Sequence, residues 1–313
     1  FQYDPVSSNR MVDVRAYRVM FFVGFIMAGI FQKRIGFIGV VLLLALAWTV
    51  QGQVRLRTSS AYNQITVEDA GGYRLLRFNG SMETRMWLPN PLFGHFEYTE
   101  YFQMPLIFNP KPKRMLLMGL GGGSTVRAFH HYYPDIHLDT VELDPKVAQV
   151  AKQFFHVKET PKHKIHFSDG RQFLRLNKTR KYDAILMDAY TSNQFGTHIP
   201  FHLATKEFFG LAAEDLTEEG VLVFNVIGTY DDWRSDIVGS MYQTLKSVFP
   251  NVYHFQASDT RNIVMLAVKS KEPLTSATLK SKVAALRAAR PKLPKSFGPR
   301  VTRIRAQAPK SAV

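Results

Sequence analysis

The chain has 313 residues, and its composition narrows the classes of function before any motif is considered. It contains no cysteine, which excludes disulfides and cysteine metal sites, and its ten histidines show no metal-binding spacing. The formal net charge of +15 lies at the two ends, because residues 1–57 carry +5 and residues 269–313 carry +11. Residues 58–268 are therefore nearly neutral, which argues against a broad nucleic-acid groove. We predict no metal site and no nucleic-acid partner.

Two apolar segments come first in chain order, Val19–Phe31 and Ile35–Val54. The second is uncharged for 20 residues, about the length that spans a bilayer, whereas the first is shorter. We predict a membrane-anchoring segment over residues 1–57 with one or two apolar helices; two buried core helices are the alternative. Because the chain begins with Phe1 rather than methionine, we expect that it derives from a longer precursor or has been trimmed.

Basic residues flank the two apolar segments more heavily than they separate them. Lys33 and Arg34 lie between the segments, whereas five arginines lie on the outer flanks: Arg10, Arg15, Arg18, Arg55 and Arg57. By the positive-inside rule, both basic flanks lie on the cytoplasmic side of the membrane. We therefore predict that the protein lies in the cell inner membrane and that the domain after residue 57 is cytoplasmic. Basic segments beside apolar ones also favour binding to anionic lipid headgroups, and each Lys or Arg near the membrane surface contributes about 1 kcal/mol to this attraction. Membrane lipids are therefore an expected partner.

Residues 58–110 have the pattern of a small antiparallel β domain. Tyr62–Val67, Tyr73–Phe78 and Met82–Trp87 are short strand candidates, and Asn79-Gly80 between the last two is a strong hairpin signal. A Rossmann-like domain is predicted to follow over residues 111–270.

A glycine-rich turn follows the next predicted strand, Arg114–Met118. Glycines let the backbone pass close to a nucleotide, and the N-terminus of the next helix offers free N–H groups. Glu142 ends a second strand 19 residues beyond Gly123, near the spacing at which a carboxylate holds ribose hydroxyls. A strict dinucleotide fingerprint would have glycine at position 124, where this chain has serine. The candidate cofactor-binding residues here are Gly119, Gly121, Gly122, Gly123, Ser124 and Glu142.

Two further predicted strands end in aspartate, at Asp169-Gly170 and at Asp188. Ligands collect at the carboxyl ends of parallel strands around the switch point of the sheet. The pattern therefore favours an S-adenosylmethionine-type cofactor over NAD, held by its ribose and its base, with one carboxylate left for substrate. The alternative for Asp169 and Asp188 is that each caps the following helix.

The remaining elements are those of one enzyme domain followed by a basic tail. We predict helices near Leu203–Leu211 and Trp233–Val248, a strand at Gly220–Val226, and an antiparallel pair, Asn251–Phe255 and Asn262–Lys269. Residues 271–313 are predicted to be basic and largely disordered, with one helix over Leu274–Ala289, because prolines alternate with lysines and arginines beyond it. The predicted fold class is α/β, a Rossmann-like S-adenosylmethionine-type transferase sheet preceded by a small antiparallel β domain and one or two N-terminal transmembrane segments.

Residues 59 to about 225 resemble the spermidine synthase family of polyamine aminopropyltransferases. Seven short motifs occur in the family's order and spacing: Ser60-Ala-Tyr62-Asn-Gln-Ile65, Phe78-Asn-Gly80-Ser-Met-Glu83, Phe96-Glu-Tyr98-Thr-Glu100, Val141-Glu-Leu-Asp144, Asp169-Gly170, Asp188-Ala-Tyr-Thr191, and Pro200 through Glu207-Phe-Phe209. The resemblance implies an aminopropyltransferase of polyamine biosynthesis, with decarboxylated S-adenosylmethionine as co-substrate, no tightly bound cofactor, and a small amine as the other substrate. It implies Asp188 as the catalytic residue and Tyr98, Glu100, Thr191 and Asn63 as substrate-binding residues.

The chain departs from the family pattern at the substrate sites. The family has aspartate at the positions of Ser124 and Thr191, glutamine at those of Asn63 and Glu83, and histidine or glutamine at that of Thr99. An S-adenosylmethionine-dependent methyltransferase and a non-catalytic membrane module that binds a nucleoside or polyamine therefore remain alternatives. For Tyr98 and Glu100 the alternative is a partly exposed strand pair. A homodimer is left open.

Overall fold

The computed structural model describes residues 52–177, 179–193, 196–231 and 235–309. The described residues from Gln53 onward form one compact unit. The predicted apolar segment 19–31 and residues 35–51 of the second segment lie outside the described residues. Among the residues that are described, no helix combines the length and apolar character needed to cross a bilayer.

The first sheet is antiparallel, with its four strands in chain order, and it confirms the three predicted strands. Its strands are β1 (Gln53–Ser59), β2 (Gln64–Ala70), β3 (Tyr73–Phe78) and β4 (Ser81–Trp87). Strand β1 was not predicted, and it takes in residues 53–57, which the sequence pattern assigned to the membrane anchor. Asn79 and Gly80 both have positive φ in the tight turn between β3 and β4, as the hairpin signal requires.

The described residues also form a main sheet of seven strands and a separate two-stranded ribbon. The strands of the main sheet are β5 (Arg114–Met118), β6 (His137–Glu142), β7 (His163–Phe167), β8 (Tyr182–Met187), β11 (Leu216–Ile227), β12 (Asn251–Gln256) and β13 (Asn262–Val268), and those of the ribbon are β9 (Thr191–Asn193) and β10 (Gly196–His198).

The order of the strands across the main sheet is β12-β13-β11-β8-β5-β6-β7. Strands β5, β6, β7, β8 and β11 are parallel, and β13 runs antiparallel to both of its neighbours, as predicted for the last pair. Strand β6 lies on one side of β5 and β8 on the other, which puts a switch point at the carboxyl end of β5.

Helices cover both faces of the main sheet, so that an apolar core forms on each side. One core includes the 3-10 helix Glu97–Ile107, and the opposite core takes buried phenylalanines such as Phe208 and Phe209. A third cluster joins the first sheet to the helix after β6, through Ile65, Val67 and Val147. The α-helices are α1 (Ser124–Tyr132), α2 (Pro145–Phe154), α3 (Gly170–Leu176), α4 (Lys206–Asp215), α5 (Ser235–Lys246), α6 (Ser276–Ala289) and α7 (Phe297–Val301), and a short 3-10 helix spans Phe201–Leu203.

The basic tail is packed where the sequence predicted disorder. Its helix α6 falls within the predicted Leu274–Ala289, but α7 follows among the prolines, and Leu286, Phe297 and Val301 are buried in the main core. Beyond α7, the backbone of Arg305 pairs with that of His254 on strand β12. The prediction of disorder relied on the many prolines and charges of the tail. The buried side chains of Leu286, Phe297 and Val301 nevertheless pack the tail against the main core.

We expect Phe297→Ala to lower the free energy of unfolding by about 3–5 kcal/mol, because the ring is only 3% exposed and its removal leaves a cavity in the core. Urea unfolding followed by fluorescence measures the change. The control is Lys292→Ala, an exposed residue of the same tail, for which a change within about 0.5 kcal/mol is expected. An unchanged unfolding midpoint for Phe297→Ala would contradict the packing of the tail.

Candidate active site

A cavity of about 400 Å³ opens at the carboxyl ends of the central parallel strands. Its walls also include residues of the first sheet and of the 3-10 helix Glu97–Ile107. Most of the residues predicted from the sequence meet here: Asn63, Tyr98, Gly119, Gly121, Ser124, Glu142, Asp169, Gly170, Asp188 and Thr191. Gly122, Gly123 and Glu100 do not line it.

The glycine turn after β5 packs closely against the backbone of Asp188 on one side and the side chain of Thr84 on the other. Gly119 has φ of 92°, and a Cβ there would lie 2.3 Å from the carbonyl oxygen of Asp188. A Cβ on Gly122 would lie 2.6 Å from Cγ2 of Thr84, whose Oγ1 accepts a 2.9 Å hydrogen bond from the Gly122 N–H. Gly123, with φ of 69°, precedes the first residue of α1. Gly122 and Gly123 therefore form the turn without contributing to the cavity wall.

Arg127 of helix α1 fixes the turn from beneath, and the sequence analysis missed it. Its buried guanidinium donates hydrogen bonds to the carbonyl oxygens of Gly122, Phe155 and Pro91 and to Oγ of Ser124. Burial lowers the pKa of Arg127 to about 10. No local pattern distinguishes this arginine from a solvated helix residue, because its partners come from three separate parts of the chain.

Glu142 is held at the end of β6 by backbone donors. Its Oε2 accepts a 2.9 Å hydrogen bond from the Leu120 N–H, and its Oε1 accepts one of 2.9 Å from the Asp144 N–H. Burial raises the pKa of Glu142, while these backbone hydrogen bonds act in the opposite direction. Each carboxylate oxygen has two lone pairs, so the group can still accept hydrogen bonds from hydroxyls in the cavity.

Asp144 connects the loop before β2 to the same strand end. Its Oδ1 caps α2 by accepting from the Lys146 N–H at 2.9 Å, and its Oδ2 accepts from the Ser60 hydroxyl. Asn63, three residues further along that loop, lines the cavity and accepts a hydrogen bond from the Asn79 side chain. The loop is thereby held over the cavity.

Asp169 both caps a helix and lines the cavity. Its Oδ1 accepts from the Gln172 N–H at 2.9 Å, and its Oδ2 lies 2.7 Å from Nε2 of His202. Burial alone would raise the pKa of Asp169, but the hydrogen bonds from Gln172 and His202 outweigh it and lower the pKa. The capping alternative is therefore realised for this residue, and His202, which sequence reasoning missed, lines the cavity beside it.

Asp188 has no helix to cap, because strand β9 follows it after two residues. Its Oδ1 accepts a 2.8 Å hydrogen bond from the Asn225 side-chain amide, and its Oδ2 accepts one of 3.2 Å from the Tyr98 hydroxyl. Burial raises the pKa of Asp188 to about 7; the negative charge of Glu83 adds to this rise, and the two hydrogen bonds oppose it. The structure thus places a carboxylate that titrates near neutral pH inside the cavity.

Tyr98 and Tyr190 both line the cavity with this carboxylate, and Tyr98 donates a hydrogen bond to it. Burial, followed by the negative charges of Asp188 and Glu83, raises the pKa of both phenols, so both stay protonated at neutral pH. The Tyr190 hydroxyl donates to the Asn225 carbonyl oxygen at 2.6 Å. Tyr98 belongs to a 3-10 helix rather than to the strand pair considered as its alternative.

Glu100, predicted from the sequence as a substrate-binding residue, does not line the cavity. Its Oε1 lies 3.1 Å from Nε2 of His95 and 3.1 Å from Nη2 of Arg300, in the tail. Burial would raise the pKa of Glu100, but its hydrogen bonds and the charge of Arg300 lower it. The sequence prediction missed this pairing because it treated the tail as disordered. Over the described parts of the chain, no cluster of three or more acidic or histidine side chains has the arrangement of a metal site.

Comparison with known proteins identifies relatives of this chain. A profile of the spermine/spermidine synthase domain matches residues 95–276. The polyamine aminopropyltransferase of Vibrio vulnificus is 33% identical over 249 residues, which cover 75% of this chain and 80% of that protein. The polyamine aminopropyltransferase of Alkaliphilus oremlandii is 32% identical over 158 residues, covering 49% of this chain and 54% of that protein.

Solved structures share the fold. A probable spermidine synthase from Corynebacterium glutamicum superposes with a TM-score of 0.61 at 21% identity, covering 75% of this chain and 86% of its own. Human Methyltransferase-like protein 13 in complex with SAH gives a TM-score of 0.55 at 25% identity, covering 63% of this chain and 94% of its own. The domain match, which spans more than half of the sequence, and the Vibrio vulnificus relative together show that this chain belongs to the spermine/spermidine synthase family.

Proposed function

We propose that the protein transfers an aminopropyl group from decarboxylated S-adenosylmethionine to the nitrogen of a small amine, as a transferase of polyamine biosynthesis. The observation that carries the proposal is the position of Asp188, held by hydrogen bonds from Tyr98 and Asn225 in the same cavity as Glu142 and the glycine turn. The names of its relatives, polyamine aminopropyltransferases, support the same reaction.

The reaction needs a neutral amine next to a sulfonium. The amine nitrogen attacks the carbon beside the sulfur, a C–N bond forms, and the C–S bond breaks with its electrons going to sulfur, which releases methylthioadenosine. A free primary amine has a pKa near that of lysine, about 10.4, so it arrives protonated. Asp188, whose pKa is about 7, can bind the ammonium as a carboxylate and then accept its proton. Tyr98 and Asn225 hold both of its oxygens in place.

The nucleoside half of the donor would lie over the glycine turn. Glu142 would accept hydrogen bonds from the ribose hydroxyls, because its oxygens are already oriented by backbone N–H groups. Asp169 would accept from the adenine amino group, with Gly170 allowing close approach beside it. His202, hydrogen-bonded to Asp169, would orient that carboxylate.

A methyltransferase that uses intact S-adenosylmethionine is the second candidate. Ser124 favours it, because an aspartate at this position would repel the carboxylate that the intact donor carries. The fold likeness to human Methyltransferase-like protein 13 is compatible with it. Calorimetric titration with the intact donor, the decarboxylated donor and methylthioadenosine separates the two candidates.

Residues 1–51 are proposed to attach the protein to a membrane, with the catalytic domain on the cytoplasmic side. This rests on the uncharged segment from Ile35 and on the basic flanks. Anionic lipids would then be partners of the flanking arginines.

We expect Glu142→Ala to weaken methylthioadenosine binding by about 2 kcal/mol or more, because buried charge-assisted hydrogen bonds to the ribose are lost. Isothermal titration calorimetry measures the affinity. The matched control is Glu218→Ala, whose carboxylate is 91% exposed and lies outside the cavity. Equal affinity of wild type and Glu142→Ala would show that the nucleoside site is assigned wrongly.

The logarithm of kcat/KM is expected to rise with pH through about 7 as Asp188 loses its proton. Asp188→Asn should remove this pH dependence and lower turnover by roughly 10²–10⁴-fold, the usual contribution of a general base. Methylthioadenosine binding should survive, because the amide keeps the shape of the side chain. Full activity of Asp188→Asn with every amine tried would contradict the mechanism.

Stability gives an independent measurement on Asp188→Asn. Because burial raises the pKa of Asp188 from 3.8 to about 7, the folded protein loses stability as pH rises through this window. Asparagine does not ionise, so the free energy of unfolding of the variant should exceed that of wild type above pH 7. Below about pH 4, where Asp188 is protonated in both states, the variant should not be more stable than wild type. Thermal unfolding across this pH range checks the sign.

The full chain should sediment with membranes and resist extraction by high salt, because spanning helices are not held by charge. A chain that begins at residue 53 is the control and should be released by salt. Release of the full chain under the same conditions would rule out a spanning segment.

A further inference from the structure

A β-bulge in the first sheet directs Glu83 into the cavity. Leu76 pairs with Thr84 and Arg77 pairs with Met82, so Glu83 of β4 has no partner residue on β3. In a regular strand two successive side chains point to opposite faces, yet Glu83 and Thr84 both line the same cavity. Bulges commonly redirect a side chain beside an active site. The bulge therefore gives this carboxylate a place in the site.

The same pairing places Glu83 beside the glycine turn. Its neighbour Thr84 accepts the hydrogen bond from the Gly122 N–H, and the neutral Ser124 lines the cavity at the other end of that turn. Glu83, Tyr98, Asp188 and Tyr190 all line this one cavity. The negative charge of Glu83 accordingly raises the pKa of each of the other three groups.

Glu83 differs from the other carboxylates of the cavity in having a free oxygen. Its Oε1 is buried and has no hydrogen-bond partner among the residues that the structure describes. Both oxygens are already bonded in the other four lining carboxylates: Glu142, Asp144, Asp169 and Asp188. None of the described residues that line the cavity is a lysine or an arginine. A buried carboxylate without a counter-charge is costly, so a cationic ligand group is the expected partner.

We propose that Glu83 binds the primary ammonium at the end of the donor's aminopropyl chain. The proposal rests on the proposed function, and it divides the two carboxylates by role. Asp188 takes a proton from the acceptor amine, whereas Glu83 keeps the donor's own ammonium protonated. A neutral nitrogen on the donor would compete with the acceptor as a nucleophile, so this pairing also protects the donor.

Donor selectivity follows from the same contact. Intact S-adenosylmethionine carries a carboxylate on the carbon that bears its amine, and Glu83 repels that carboxylate. The decarboxylated donor has no carboxylate for Glu83 to repel, and its ammonium is still attracted to Glu83. Glu83 therefore acts as a specificity-determining residue for the donor, from the first sheet rather than from the Rossmann-like sheet.

The test is calorimetric titration of the full chain with decarboxylated S-adenosylmethionine, S-adenosylmethionine and methylthioadenosine. Glu83→Gln should weaken binding of the decarboxylated donor about tenfold or more, as expected when a desolvated charge pair is lost. Methylthioadenosine, which has no ammonium, should bind as before, and the preference for the decarboxylated over the intact donor should narrow. Glu83→Asp keeps the charge and should keep most of that preference.

The control is Glu68→Gln, the same substitution in the same sheet, at a residue that pairs with Arg77 outside the cavity. It should leave all three affinities unchanged. An equal loss of methylthioadenosine and donor binding in Glu83→Gln would overturn the proposal, because the residue would then support the nucleoside site. Unchanged donor binding with a raised KM for the acceptor would overturn it as well, as would equal behaviour of the Asp and Gln variants. Failure of wild type to bind either methylthioadenosine or the decarboxylated donor would instead refute the proposed function.

Discussion

The close contact between the glycine turn and strand β8 determines the geometry of the site. Gly119 passes so near the Asp188 carbonyl oxygen that no side chain fits, and backbone hydrogen bonds join Gly119 to Val141 and Asp188 to Met118. The ends of β5, β6 and β8 are therefore fixed relative to one another. Because Glu142 and Asp188 stand on two of these ends, their separation is set by backbone contacts and not by flexible side chains. A ligand that bridges them meets a preformed site.

Five carboxylates line the cavity, and among the described residues no lysine or arginine does so. Burial raises the pKa of Asp188 and of Glu83, and each of these charges opposes the ionisation of nearby groups. In such surroundings a positive ligand relieves an electrostatic cost that the free protein carries above neutral pH. Burial is the main cause of the raised pKa of Asp188, and the negative charge of Glu83 adds to it. The proposed recognition of a cationic group and the proposed proton transfer would therefore both depend on Glu83.

The sequence predicted the parts of the site that depend on local pattern. Apolar strands that end in glycine or acid placed Glu142, Asp169 and Asp188 together, because parallel strand ends meet at one edge of a sheet. Arg127 and Glu83 could not be found in this way. Arg127 acts through carbonyl oxygens far apart in the chain, and Glu83 reaches the cavity only because a bulge changes the register of β4.

The tail was mispredicted for a related reason, and it supports the site from behind. Composition alone made residues beyond Pro291 look disordered, yet Arg300 and Arg303 both pair with the buried Glu97. Glu97 also accepts hydrogen bonds from Ser258, in the loop after β12. These contacts hold the start of the 3-10 helix that carries Tyr98, and Tyr98 in turn donates to Asp188.

Loss of the tail arginines would leave the Glu97 carboxylate buried without its cations, which destabilises this helix end more than the loss of a surface pair would. The position of the Tyr98 hydroxyl therefore depends on residues about 200 positions later in the chain. A charged tail that resembles a disordered segment in composition is thus part of the support for Asp188. Three of its arginines, Arg290, Arg300 and Arg303, pair with carboxylates of the domain, so their charges are already balanced within the described structure.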